Sequence, residues 1–202
     1  MRQAWQISSL ANVLFVAFSF AVIFASEPAW GQSKERTGYV ATGVGVNLKL
    51  SGNAHPYGTQ FNALEVGYEF RHGLGAVASF TVGNFNYTYG STSINSAYQM
   101  VMLGPMYLFH LNRRSSIDLK ARIGYHYHKE AAQFNDGSTS GNYTRGGAVV
   151  GFLITGSYQY RVADRWTLFG NLDLSTNQVH FAPQSAPSLT TLGITAGVGF
   201  RF

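Results

Sequence analysis

The sequence predicts an all-β fold, an eight-stranded antiparallel transmembrane β-barrel, from three observations: a period of two in side-chain polarity that recurs eight times, connections that alternate between short and long, and an aromatic pair closing every second strand. Composition narrows the class first. Hydrophobic residues at 46% and aromatics at 15% argue against disorder, and the absence of Cys excludes a disulfide scaffold or a thiolate metal site. Charged residues reach only 11%, against roughly a quarter in ordinary soluble domains. The net charge of +5 has no basic run beyond Arg113-Arg114, so nucleic acid is not an expected partner.

The chain opens as an address. Arg2 is followed by an apolar run from Leu10 to Ala25, about as long as a secretory h-region and shorter than the roughly 20 residues of a membrane helix. Ala29 and Gly31 put small residues where a signal peptidase accepts them, which predicts a signal peptide over 1–31 and a barrel domain over 32–202. The alternative, an uncleaved anchor, fits less well because polar residues follow at once.

Alternation is clearest at 117–128: Ile117, Leu119, Ala121, Ile123, Tyr125 and Tyr127 share one face, and Asp118, Lys120, Arg122, Gly124, His126 and His128 the other. A run this long suits the 9 to 11 tilted residues that cross a bilayer better than a soluble strand. The same reading places strands at 39–50, 60–71, 75–89, 98–110, 146–161, 166–177 and 189–202. Connections at 71–75, 111–116 and 161–165 are short, and those at 51–59, 90–97, 131–145 and 178–188 are longer, as in barrels with periplasmic turns and external loops. Both termini then fall on the short-turn side.

Tyr68/Phe70, Tyr107/Phe109, Tyr158/Tyr160 and Phe200/Phe202 end the even-numbered strands, and Trp166 opens the seventh at the same level. They predict a periplasmic aromatic girdle on the lipid face, which also carries Val44, Val46, Leu64, Val66, Ile123, Phe152, Ile154, Leu172 and Ile194. The opposite face carries Lys49, Glu65, Glu69, Arg71, Asp118, Lys120, Arg122, Asp173 and Arg201, which predicts a paired polar network filling a narrow lumen. Gly67, Gly124, Gly151 and Gly197 are expected to make room for these long side chains. A soluble sandwich would turn the charges outward; strand length, girdle and export segment favour the barrel. In the third strand Phe85, Tyr87 and Tyr89 break phase, so a bulge is expected at Gly83-Asn84. In the fourth, Met100, Met102 and Met106 fall on the lumen face, and Pro105 predicts local irregularity.

The ending Gly-Ile-Thr-Ala-Gly-Val-Gly-Phe-Arg-Phe, closing on Phe200 and Phe202, resembles the C-terminal signature read by the barrel assembly machinery. With Leu103-Gly-Pro-Met-Tyr-Leu-Phe109 it is similar to the small outer-membrane barrels of OmpA and OmpX type. That resemblance implies a cell outer-membrane location, surrounding lipid and lipopolysaccharide, and assembly by that machinery. Its members range from structural proteins to adhesins and lipid-modifying enzymes, so fold does not decide function.

Candidate chemistry is sparse. His126, His128 and Glu130 share a face near the predicted outer mouth, but same-face neighbours stand about 6.5 to 7 Å apart, and a solvated polar lumen end is the simpler expectation. None of the six His has Ser two residues on, the pair that marks lipid A deacylases, and His180 has no evident nucleophile beside it. No catalytic, cofactor or metal residue is assigned. The expected role is a structural or surface-interaction platform presenting four external loops; the alternatives are a lipid A-modifying acyl hydrolase and a narrow ion-conducting channel, since a general pore needs more strands.

Overall fold

The computed structural model of the chain describes residues 38–51, 56–135, 140–179 and 189–202. The expected export segment and its expected cleavage position, His55 and His180 lie outside these. Eight strands follow one another: β1 (Gly38–Lys49), β2 (Tyr57–Arg71), β3 (Leu74–Tyr89), β4 (Thr92–His110), β5 (Ser115–Asn135), β6 (Ser140–Arg161), β7 (Trp166–Val179) and β8 (Thr190–Arg201). Each pairs antiparallel with its sequence neighbours, and β1 pairs with β8 from Tyr39↔Arg201 to Lys49↔Thr191, closing the barrel. Reciprocal backbone bonds between Gly38 and Phe202 complete the seam at the turn end. Closure leaves no strand edge through this body, which is what a backbone surrounded by hydrocarbon requires.

Tight turns organise one end. His72 (φ 51°) and Gly73 (φ 84°) form a two-residue hairpin turn with both central residues at positive φ, the twist that matches antiparallel strands. Glu69 accepts from the Gly73 N–H at 2.9 Å and so pins it. Between β4 and β5, the Asn112 side chain accepts from the N–H groups of Arg114 and Ser115, both at 2.8 Å, a local bond that substitutes for ladder partners.

The other end is uneven. Strands β4, β5 and β6 run for 19, 21 and 22 residues, whereas β1 and β8 have 12 and β7 has 14. The long connections expected at 90–97 and 131–145 are therefore mostly strand: β3 and β4 meet through Gly90-Ser91, and β5 and β6 stay paired out to Asn135↔Ser140. Polar residues at both parities there obscured the strand period. Among the described residues the result is a wall formed by β3 to β6 beside the shorter strands β7, β8 and β1.

The expected bulge at Gly83-Asn84 is absent, because β3 and β4 pair without a shift from Leu74↔Tyr107 to Tyr89↔Thr92. Phe85 therefore stays in phase with Val77, Ser79 and Thr81 and points inward, fully buried. The extra residue lies instead in β2 at Ala63, where pairing passes from Asn62↔Thr81 to Leu64↔Phe80. It keeps Gln60 and Asn62 on one side of the bulge, and Glu65 on the other, all facing the interior. Around Pro105 the β4–β5 ladder is interrupted between Leu103↔Ile123 and Met106↔Lys120 and resumes in the same register.

Candidate functional site

The turn-side half of the interior is built around Glu65. Its Oε1 accepts from Lys120 at 2.6 Å and from the Tyr39 hydroxyl at 2.8 Å, and its Oε2 accepts from Arg122 at 3.0 Å. Lys120 also lies 3.2 Å from Asp118, which accepts from Gln159 at 2.7 Å. Arg122 further donates to Ser79 at 2.8 Å and to Thr155, and the Thr155 hydroxyl in turn donates to Asp173. Asp173 is reached from two more strands by Gln60 at 2.9 Å and Thr195 at 3.2 Å. Alternation puts these groups inward, and closure brings β1, β2, β3, β5, β6, β7 and β8 within reach of one another. The arrangement matches charge with charge where water is excluded, which buried ions require. Tyr39, Gln60, Ser79, Thr155, Gln159 and Thr195 are the partners that a search for charge alone passes over; Tyr39 shares a parity with Lys49 in its strand, whereas Gln60 is put out of phase with Glu65 by the bulge at Ala63 and Ser79 has no charged residue in its strand to mark it.

Not every predicted member joins the network. Glu69 sits at the turn-end rim, 3.3 Å from His110 and bonded to the turn, away from Glu65. Arg201 is buried beside Tyr39, Glu65 and Lys120 around a cavity of about 10 Å³, room for about one water. The Arg71 side chain lies outside the described residues. The four glycines do not make room for Lys, Arg or Glu: Gly67 faces the Tyr39 ring, Gly197 the Phe169 ring, Gly151 His126 and Met102, and Gly124 the Val101 carbonyl.

The loop-side half is built on an apolar cluster with polar side chains buried around it. Phe85, Tyr98, Met100, Met102, Leu153 and Leu189 form one buried cluster, with Tyr98 bonded to Asn47 and Gln60. His126 and His128 are enclosed in it rather than solvated, because Phe85 and Tyr98 occupy the space a polar mouth would need. The His126 ring meets Tyr98 edge-on at 5.5 Å, and His128 Nε2 lies 2.6 Å from Ser96 Oγ. That last pair has the reach of a nucleophile and its base. It is wholly buried, however, so an ester carbonyl has no approach. Glu130 lies above it, 3.9 Å from Lys49, and accepts from Tyr143 at 3.4 Å. Among the described residues no three His, Asp or Glu converge on a metal position.

Outward, Val44, Val46, Ile123, Phe152, Ile154, Leu172 and Ile194 are exposed, Val44 by 64%, and Leu64 and Val66 are half-buried. Tyr68, Phe70, Tyr107, Phe109, Tyr158, Tyr160 and Trp166 ring the turn end, 39 to 65% exposed, with Phe200 and Phe202 half-buried beside them. Trp166 packs edge-on to Phe200 at 5.4 Å. Beyond the apolar band the wall turns outward the polar residues Asn86, Asn95, Gln99, Lys129, Gln133 and Asn142.

No curated protein sequence matches the chain. Among solved structures it is similar to Ail, the attachment invasion locus protein of Yersinia pestis, at 15% identity and TM-score 0.55, covering 84% of this chain and all of that one. Neisserial surface protein A is similar at 16% identity and TM-score 0.58, over 82% of this chain and 97% of that one. The outer membrane protease OmpT of Escherichia coli also shares the fold, at 8% identity and TM-score 0.52, over 87% of this chain and all of that one. A surface protein and a protease on similar barrels show that this likeness speaks for architecture alone. The profile of the outer membrane protein beta-barrel domain family spans residues 15–202, and with the closed eight-stranded barrel, its apolar exterior and its charged interior, this chain belongs to that family.

Proposed function

We propose that this outer-membrane barrel serves as a rigid platform for contacts outside the cell. The observation that carries the reading is the wall of β3 to β6, which continues beyond the apolar band and turns polar on its outward face. Strands much longer than the 9 to 11 residues needed to cross are not required for anchoring. In this reading the tight turns face the periplasm, the aromatic ring is the girdle at that interface, and lipid and lipopolysaccharide surround the band. Residues 1–31 are removed on export, and Phe200 and Phe202 are the signal engaged by the assembly machinery. Among the described residues the interior is filled by the charged cluster on the turn side and by Phe85, Tyr98, Met100 and Met102 on the loop side, which supports a platform over a narrow channel or a lipid A-modifying enzyme.

The absence of Cys permits single-cysteine labelling. On intact cells a membrane-impermeant maleimide should label Asn142→Cys in β6 and should label Ala163→Cys, in the β6–β7 turn, only after the outer membrane is opened. The reverse pattern would overturn the orientation, and protection of Asn142→Cys in both states would remove the platform.

A further inference from the structure

The tight turns are unequal in charge. Arg113 and Arg114 lie exposed in the β4–β5 turn and Arg165 in the β6–β7 turn, where the exposed carboxylate Asp164 precedes it. These hairpins are neighbours, joined at the rim by the Arg161 N–H donating to the Arg114 carbonyl at 2.7 Å, and the Arg201 N–H donates to the Arg165 carbonyl at 2.8 Å. The third turn, His72-Gly73, is flanked by Glu69 and Arg71 and carries no comparable excess. Height is fixed by the aromatics: the Arg165 guanidinium lies 5.9 Å from the Phe200 ring, and Tyr158, Tyr160 and Trp166 stand outward beneath the same two turns. Turns of four residues cannot carry these arginines far from the girdle.

We propose that this arginine arc binds the headgroups of anionic phospholipids in the leaflet on the turn side. The inference rests on the membrane placement of the girdle given above. Guanidinium forks match phosphate oxygens, and a cation beside the aromatic belt stands at the depth where those oxygens lie. A soluble polyanion is a poorer fit, because the arc does not project beyond the interface.

Trp166 adjoins Arg165, and with Trp5→Phe and Trp30→Phe in the full chain it is the only indole. This chain is inserted into phosphatidylcholine vesicles containing equal small fractions of either phosphatidylglycerol or phosphatidylcholine brominated near the headgroup. The brominated phosphatidylglycerol should be enriched about fivefold around Trp166, the effect of one engaged arginine, and should quench it correspondingly more. Arg113→Ser/Arg114→Ser/Arg165→Ser should abolish the preference. If the triple variant does not insert, Arg165→Ser and Arg113→Ser/Arg114→Ser are read separately, and full preference in both overturns the proposal. Equal quenching by the two lipids overturns it as well. So does an equal preference at a tryptophan introduced as Phe70→Trp with Trp166→Phe, since the attraction would then belong to the whole chain. Heat-modifiable migration separates the outcomes: a chain that never inserts counts against the membrane reading, and an inserted chain without preference counts against the arc alone.

Discussion

In the turn-side half of the barrel interior one carboxylate, Glu65, receives a lysine, an arginine and a tyrosine from two other strands, whereas the loop-side half is centred on an apolar cluster of Phe85, Tyr98, Met100, Met102, Leu153 and Leu189. Both halves exclude water, but they depend on their parts differently. The charged half is a set of mutual obligations: removing one member leaves the others buried and uncompensated, and that penalty exceeds what the intact pairs contribute. The apolar half depends on volume, and a neighbour of similar size can take over. An eight-stranded interior can therefore be closed by either chemistry, with different tolerance to change.

The difference can be broken or sharpened by substitution. Glu65→Gln should destabilise the barrel by about 3–5 kcal/mol, read from urea unfolding in lipid vesicles, because Lys120 and Arg122 lose their shared partner. A loss below about 1 kcal/mol would mean that water reaches this cluster and that the two halves do not differ in kind. Met100→Leu, at the centre of the apolar half, should shift stability by less than about 1.5 kcal/mol, since volume is nearly conserved and no polar group is orphaned. A larger effect there would show that the apolar half is as exacting as the charged one.

Legibility in the sequence followed the same physics. In β5 the surroundings demand opposite polarity on each side, so the facing of Ile117 through His128 could be read directly. Past His128 the outer face of the wall turns polar, and Lys129, Glu130 and Gln133 no longer alternate with apolar residues, so its length was hidden. Phe85 and Tyr87 misled for the converse reason: aromatics suit lipid and a packed interior equally, and only pairing shows which they face. The charged cluster was half legible. Parity marked Glu65, Asp118, Lys120, Arg122 and Asp173, but spacing along one strand says nothing about which strand supplies the neutral donors. Glu69 shares that parity and ends at the rim, because distance along the barrel axis, rather than facing, separates it from Glu65.

The central claim is that apolar side chains face hydrocarbon while charges face inward, and Ile123 tests it most directly. It lies on β5 between Arg122, which is buried in the network, and Gly124, and it is 47% exposed on the outward face. Ile123→Lys should lower the stability of the vesicle-inserted barrel by about 2–4 kcal/mol, the effect of a cation facing mid-bilayer. A neutral result in reversible unfolding would place residue 123 toward water or the interior and would contradict the assignment of the two faces.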